Sequence, residues 1–171
     1  MKEREIVLKP IGIIETPYTD WSQAVPVQGR ANPESEGTLV LYPEYGAGLK
    51  DLEGFSHIIL LYHFHKSAEV MLSAKPYLDK AEHGIFAIRS PHRPNHLGLT
   101  LVELVSVQGL QVRVKGVDML HGTPLLDIKP YNPRIDSVPE ARTGWMEKAF
   151  SEGEGVTARK VRSEKDWLHK E

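Results

Sequence analysis

Residues 57–65 read H-I-I-L-L-Y-H-F-H, and this stretch decides the fold because it is the clearest strand in the sequence. Side chains on a strand point alternately to its two faces. One face therefore carries the apolar and aromatic residues at positions 58, 60, 62 and 64, while the other carries His57, His63 and His65 with two aliphatic residues. This separation predicts a half-buried strand whose even-numbered face is directed at the core.

Further strands are predicted on both sides of this stretch. Residues 99–107 and 110–117 flank Gln108-Gly109, a two-residue connection with glycine in second place that is typical of a β-hairpin. Other β-rich runs are residues 6–14 (interrupted by Pro10), 37–42, 84–88 and 125–131, and short helices are predicted at residues 43–52 and 144–150. About seven strands with short turns predict a mainly β domain, a small closed or nearly closed β-barrel with short helices and long loops. Regular β-α-β alternation and a dinucleotide-type glycine fingerprint are missing, so a Rossmann fold is not indicated.

Length and composition bound the class of protein. The 171 residues suffice for one domain, and we expect a β-barrel domain over residues 1–140 and a C-terminal extension over residues 141–171. The net charge is −2, so a nucleic-acid partner would have to meet a local basic patch. The absence of cysteine excludes disulfides, thiolate metal sites and a cysteine nucleophile. No apolar run approaches the ~18 residues of a membrane span and no signal peptide is indicated, so we expect a soluble, cytoplasmic protein.

The stretch R-S-P-H-R-P-N-H-L-G-L-T at residues 89–100 is dense in hydrogen-bond donors. Its two prolines keep it out of helical conformation and leave it little freedom. Arg89 and Arg93 can each hold a carboxylate or phosphate in a bidentate fork, and the two histidines titrate near neutrality. The pattern predicts a clamp for an anionic ligand, and the alternative is a solvated surface loop.

Two further clusters are candidates for chemistry. His63 and His65 lie on one strand face beside Lys66, but His57 is roughly 20 Å from His63 on a straight strand, so a three-histidine metal site is not predicted. Asp127, Lys129 and Tyr131 alternate along a later strand and offer a carboxylate, an ammonium and a phenol, unless they form an ordinary salt-bridged surface.

A Ser/His/Asp triad can also be written from Ser90, His92 and Asp127. No nucleophile elbow accompanies these three residues. The triad therefore carries little weight.

Three stretches resemble motifs of one family. They are G-L-K-D-L-E-G-F-S-H with L-L-Y-H-F-H-K (residues 48–57 and 60–66), F-A-I-R-S-P-H-R-P-N-H-L-G-L-T-L-V-E-L (residues 86–104) and D-M-L-H-G-T-P-L-L-D-I-K-P-Y (residues 118–131). Together with residues 11–18 and 24–28, they resemble the TrmO family, also called the TsaA or YaeB-like domain, over roughly residues 6–135. The resemblance implies a small β-barrel, usually a homodimer, that binds S-adenosylmethionine without a Rossmann domain. It also implies methyl transfer to N6 of the threonylcarbamoyl-adenosine beside the anticodon of a tRNA.

The resemblance assigns roles to residues that match the family motifs. It implies a cofactor pocket built from Pro26, Val27, Gln28, His65, Lys66, Arg89, Leu99, His121, Gly122, Thr123 and Pro124. On chemical grounds, Asp127 and Tyr131 are candidate acceptors for a proton from the attacking nitrogen, and Arg93, Lys66 and Lys129 are candidate contacts for phosphates of the tRNA anticodon loop. No metal is implied.

The sequence departs from the family pattern at two positions. Val27 stands where the family often has arginine, and His121 stands where it often has aspartate, so a basic contact and a carboxylate are lost. Two other functions stay open: a non-catalytic module that binds S-adenosylmethionine or a nucleotide, and a metal-dependent hydrolase centred on His63 and His65.

Overall fold

The structure, a computed structural model, describes residues 5–20, 33–76 and 79–151. Its strands are β1 (Gly12–Glu15), β2 (Glu36–Leu41), β3 (His57–His63), β4 (Ser73–Ala74), β5 (His83–Gly84), β6 (Leu97–Gln108), β7 (Gln111–Lys115) and β8 (Thr123–Pro130). Short 3-10 helices span Pro43–Leu49, Leu52–Gly54 and Ile85–Ala87, and the α-helices are α1 (Pro133–Asp136) and α2 (Met146–Ser151). None of the helices in these residues is long and apolar enough to cross a membrane.

Six strands close into an antiparallel barrel in the order β1-β2-β7-β6-β3-β8, and β8 pairs back onto β1. The prediction of a mainly β, closed barrel is confirmed. Strands β4 and β5 form a separate two-stranded ribbon. Because neighbouring strands are antiparallel, Glu15, His63, Leu97 and Thr123 lie at the same end of the barrel, which we call the rim.

Strand β3 supplies the predicted core face. Ile58 and Leu60 are 0% exposed and Tyr62 is 2% exposed. They belong to the main hydrophobic core, together with Val102 of β6 and Val112 of β7. Burial of each such aliphatic side chain stabilises the fold by about 1.5–3 kcal/mol, so the two-residue periodicity of β3 is a large part of why the barrel forms.

Strand β8 contains a bulge opposite β3. Leu61 pairs with Asp127, but Tyr62 pairs with Leu125, so Leu126 has no partner on β3. One extra residue reverses the alternation of side chains beyond it. As a result, Leu125 is fully buried whereas Asp127 is partly exposed on the outer wall.

The hairpin between β6 and β7 is confirmed, with its turn one residue later than predicted. Gln108 pairs with Gln111, which leaves Gly109-Leu110 as the connection. Gly109 has φ +60°, and Leu110 does not have positive φ. This is the pattern of a type II′ turn, which needs glycine in its first place and matches the twist of the strands.

The strand predicted at residues 84–88 is wrong. Pairing stops at the end of β5, and the chain then turns through the 3-10 helix Ile85–Ala87. Ile85 and Ile88 are both buried in a second small core, against Trp145. A 3-10 turn places residues three apart on one side, which explains why these apolar residues do not form a strand.

Two strand limits also differ from the predictions. The first strand begins at Gly12 rather than at residue 6, and Ile6 is 81% exposed. Pro10 has no N–H to give to a ladder, which separates the preceding apolar residues from the barrel. Strand β3 ends at His63, because the N–H of His65 donates to the carbonyl of His63 (2.8 Å) in a tight turn.

The domain limit at residue 140 stays a prediction. Trp145, which lies beyond it, donates from Nε1 to the carbonyl of Ala87 (2.8 Å) and stacks on His83 at 4.6 Å between ring centroids. The start of the predicted extension therefore packs on the segment that leads into the 89–100 loop.

Candidate functional site

Two segments that are far apart in sequence meet at the rim. The backbone N–H of His121 donates to Tyr18 O (2.6 Å), and that of Gly122 donates to Ile14 O (2.9 Å). His121 Nδ1 lies 3.2 Å from Thr16 O. Gly122 has φ +76°, a conformation that other residues adopt only at a cost. The H-G-T-P stretch is thus a tight turn held against the end of β1.

A third segment joins them after β3. His65 Nδ1 lies 3.4 Å from Thr123 Oγ1, and Lys66 Nζ donates to Thr19 O (2.7 Å). The Thr123 hydroxyl is buried and donates to Leu120 O (2.7 Å). Because the one proton of this hydroxyl goes to Leu120 O, the contact suits a neutral His65 that donates from Nδ1 and carries its lone pair on Nε2.

The rim site holds His65 in its neutral form. Partial desolvation of the ring lowers the pKa of His65 from its ordinary value, and the nearby charges of Lys66 and His63 lower it further. His65 is therefore uncharged at neutral pH, beside the cationic Lys66. The structure thus brings together five predicted cofactor residues: His65, Lys66, His121, Gly122 and Thr123.

The 89–100 loop is fixed by hydrogen bonds to the segment after β3 and within itself. Ser67 Oγ donates to Pro91 O (3.2 Å), and the N–H of Phe64 donates to His96 O (2.8 Å). Arg93 Nη1 donates to Ile88 O (3.0 Å). One nitrogen of Arg93, a predicted substrate contact, is therefore used to hold the loop in place, whereas the Arg89 side chain is exposed.

A buried polar network that the sequence reasoning missed lies inside the barrel. Tyr62 OH and Thr100 Oγ1 are 3.0 Å apart, and both donate to Asp118 Oδ1, at 3.2 and 2.7 Å. Burial raises the pKa of Tyr62 well above its usual value, the charge of Asp118 raises it further, and the charge of Arg89 opposes the shift. Tyr62 therefore stays protonated and acts as a donor. The sequence signal that could have indicated this network is the presence of two hydroxyl side chains, Tyr62 and Thr100, at core-facing positions of the paired strands β3 and β6.

Gly98 makes room for this network. It lies opposite Tyr62 on β6, and a Cβ atom there would come within 2.2 Å of Tyr62 Cε2. Since Asp118 begins the segment that leads to His121, the network also fixes the base of the rim turn.

Asp127 and Lys129 of β8 lie on the outer wall of the barrel, and Tyr131 directly follows the end of that strand. Lys129 Nζ is 2.9 Å from Asp127 Oδ2, and both side chains are about half exposed, at 60% and 46%. The Tyr131 ring lies edge-on to His57 at 6.3 Å between centroids. Eight residues of extended strand separate Tyr131 from Thr123, or about 26 Å, so the structure does not bring Tyr131 to the rim of its own chain.

The remaining predicted cofactor residues are placed differently. Pro124 follows Thr123 on β8 and is half-buried, while Leu99 is 52% exposed on the outer wall, opposite Leu61. Pro26, Val27 and Gln28 lie outside the described residues. Within the described ranges, no three His, Cys, Asp or Glu residues are grouped so that they could hold a metal ion.

A closed antiparallel barrel in which His65, Lys66 and the H-G-T-P turn meet at one end defines a small barrel domain with a rim site, and not a doubly wound nucleotide-binding domain. Within that class the chain belongs to the TrmO family. The family profile described as the tRNA-methyltransferase O N-terminal domain matches residues 13–137. The predicted resemblance is confirmed.

Relatives and solved structures agree with this assignment. A probable S-adenosyl-L-methionine-binding protein of Pyrococcus abyssi is 48% identical over 143 residues, which cover 84% of this chain and 77% of that protein. The tRNA (adenine(37)-N6)-methyltransferase of Rattus norvegicus is 41% identical over 140 residues, covering 77% of this chain and 32% of that enzyme. The crystal structure of TrmO from Pseudomonas aeruginosa superposes with a TM-score of 0.70 at 35% identity, covering 83% of this chain and 63% of that one. This chain therefore matches about a third of the rat enzyme and under two thirds of the crystallised protein.

Proposed function

We propose that this protein is an S-adenosylmethionine-dependent methyltransferase that methylates N6 of threonylcarbamoyl-adenosine beside the anticodon of a tRNA. The observation that carries the proposal is the rim site of this family barrel, where His65 contacts Thr123 of the H-G-T-P turn and Lys66 bonds Thr19 beside it. The names of the relatives support both the cofactor and the tRNA substrate.

The rim residues fit the charges of S-adenosylmethionine. The cofactor supplies a methyl group already activated on a positively charged sulfur. Because His65 is neutral, it adds no positive charge to a site that would hold the positively charged sulfur. The exposed guanidinium of Arg89 offers a bidentate partner for the cofactor carboxylate. We assign His65 and Arg89 to cofactor binding, together with Leu99, Pro124 and residues 26–28.

The protein's part in the reaction is alignment and proton removal. Holding nitrogen, methyl carbon and sulfur in line supplies much of the rate enhancement. We propose Asp127 as the proton acceptor, because its carboxylate is half exposed and faces outward beside the bulge. Tyr131 would reach a rim site only from a second protomer. Arg93 and Lys129 are proposed contacts for anticodon-loop phosphates.

The proposal is tested by incubating the full chain with S-adenosylmethionine and tRNA that carries threonylcarbamoyl-adenosine, followed by mass spectrometry of the nucleosides. We expect a new N6-methylated nucleoside, and none with tRNA lacking the threonylcarbamoyl group. Cofactor binding without methyl transfer would instead identify the non-catalytic binding module. No binding of cofactor at all would contradict the proposal.

Arg89→Ala probes the carboxylate contact. Loss of a charge-assisted pair costs about 1.5–3 kcal/mol, so we expect the calorimetric Kd for S-adenosylmethionine to rise about 10- to 100-fold. Arg113→Ala is the matched control, because Arg113 is exposed on β7 and pairs with Glu36. Equal Kd values for the two variants would remove Arg89 from the site.

We further propose that the protein is a cytoplasmic homodimer. Val70, Met71, Leu72 and Phe86 are 55%, 38%, 74% and 79% exposed, and Leu72 O accepts from Ile85 N, so these segments are adjacent. Exposed apolar patches of this kind mark interaction sites. Sedimentation should give a dimer for wild type and a monomer for Leu72→Glu. Val138→Glu, at another exposed apolar position, should stay dimeric. A monomeric wild type would refute the dimer.

A further inference from the structure

An open cleft of about 430 Å³ lies on the outer wall of the barrel next to the rim site. Ile6 and Leu8 of the segment before β1 form one side, and Leu97 and Leu126 of the barrel form another. The polar side chains in its lining are those of His63 and Asn95. The cleft is therefore apolar on its walls and polar at two points.

The cleft and the rim site share a boundary. Pro124 lines the cleft, while Thr123, the preceding residue, is buried at the rim against His65. Successive strand residues point to opposite faces and their Cα atoms are about 3.8 Å apart. His63, at the end of β3, likewise precedes His65 by two residues. A group in the cleft and a group at the rim thus lie on two sides of the same short stretch of backbone.

The β8 bulge contributes to this shape. Leu126 is the extra residue that has no partner on β3, and its side chain lines the cleft. Bulges commonly redirect a side chain next to a functional site. The residue that follows it is Asp127, which we propose as the proton acceptor.

The lining suits a nucleobase. A base has apolar faces and a polar edge, and proteins that read single-stranded RNA bury unstacked bases from loops. Asparagine presents a donor and an acceptor together, the arrangement that pairs with an adenine edge. An ordinary apolar contact surface would not need the polar side chains of Asn95 and His63 in its lining.

We propose that this cleft receives the acceptor adenine of the tRNA, with Asn95 and His63 at the base edge and N6 directed past Pro124 toward the rim. The inference rests on the proposed function. The N6 nitrogen forms a bond to the methyl carbon as the carbon–sulfur bond breaks, and the sulfonium leaves as a neutral thioether. The proton released from N6 passes through water in the open cleft to the Asp127 carboxylate, three residues beyond Pro124 on β8.

Leu97→Trp fills the cleft and is the main test. Val105→Trp is the control, because Val105 is 43% exposed on the same strand, eight residues and about 26 Å away. We expect Leu97→Trp to lose methyl transfer to tRNA at least about 100-fold while its Kd for S-adenosylmethionine stays within about twofold of wild type, and Val105→Trp to behave as wild type. Asn95→Ala should raise the KM for tRNA about tenfold. Full activity of Leu97→Trp would overturn the assignment of the cleft.

A binding assay separates failure of the cleft from failure of the proposed function. An anticodon stem-loop RNA with 2-aminopurine next to the acceptor adenine reports whether the acceptor base leaves its stack. We expect wild type and Val105→Trp to change its fluorescence and Leu97→Trp not to. Equal fluorescence changes with wild type, Val105→Trp and Leu97→Trp would refute binding of the base in the cleft, even if wild type proves inactive as a methyltransferase. Conversion of a dimer into a monomer by Leu97→Trp would also overturn the proposal, because a second copy would then occupy the cleft.

Discussion

Replacing Gly98 with alanine is expected to destabilise the barrel strongly, although it adds one methyl group. The new Cβ would lie 2.2 Å from Cε2, 2.4 Å from Cζ and 2.8 Å from Cδ2 of Tyr62. The ring is 2% exposed, and its hydroxyl is tied to Thr100 and Asp118, so it has no room to yield. Overpacking of this kind costs about 1–3 kcal/mol, and strained hydrogen bonds in a buried network add about 1 kcal/mol.

We therefore expect Gly98→Ala to lower the free energy of unfolding by about 2–4 kcal/mol. With an m-value of about 2 kcal/mol/M in urea, the midpoint falls by about 1–2 M. Gly84→Ala is the control, because nothing lies within 4 Å of a Cβ at that glycine, and it should change stability by less than about 0.5 kcal/mol. In the double variant with Tyr62→Ala, the added cost of Gly98→Ala should largely disappear. A Gly98→Ala midpoint equal to that of wild type would refute the reasoning that the ring cannot move.

Two other changes test the network and the rim. Thr100→Val keeps the shape of the side chain but removes a hydroxyl that donates to Asp118. We expect the free energy of unfolding, measured in urea, to fall by about 1–3 kcal/mol. An unchanged unfolding curve would show that this hydrogen bond contributes nothing to stability. For His65, the folded pKa lies below the unfolded one, so the unfolded state binds more protons as pH falls through the ordinary range near 6.5. Wild type should thus lose more stability than His65→Gln between pH 7.5 and 5.5 and show no such difference above that range, and parallel losses would exclude His65 as the cause.

Sequence patterns predicted the parts of the fold that depend on local periodicity. The alternation in β3 identified the core face correctly, because one side of that strand is buried and the other is not. The strand predicted at residues 84–88 is wrong because a short apolar run fits either a strand or a turn. Here the run forms a turn that packs against Trp145, far along the chain. Pairing of Tyr62 with Thr100 and Asp118 depends on tertiary placement, which no local pattern reveals.

The site was predictable as a set of residues but not as an arrangement. Family motifs identified His65 and the H-G-T-P turn, yet their meeting at Thr123 depends on the register between β3 and β8. Asp127 and Lys129 form an ion pair on the outer wall, as the alternative of a salt-bridged surface predicts, and Tyr131 lies just beyond the end of β8. Their distance from the rim was not evident, because strand periodicity gives the face of a residue and not which end of the barrel it occupies.

The bulge at Leu126 makes β8 a strand with two phases. Before the bulge the odd-numbered side chains face the core, and after it the even-numbered ones do. Leu125 therefore faces the core while Asp127 faces water. A one-residue deletion there would put both halves in the same phase and force either Thr123 out of the rim or Ile128 out of the core. Comparisons between relatives that slide a gap across this position would therefore match outward residues to inward ones, and the count of residues between the H-G-T-P turn and the D-I-K-P-Y stretch is itself a structural constraint.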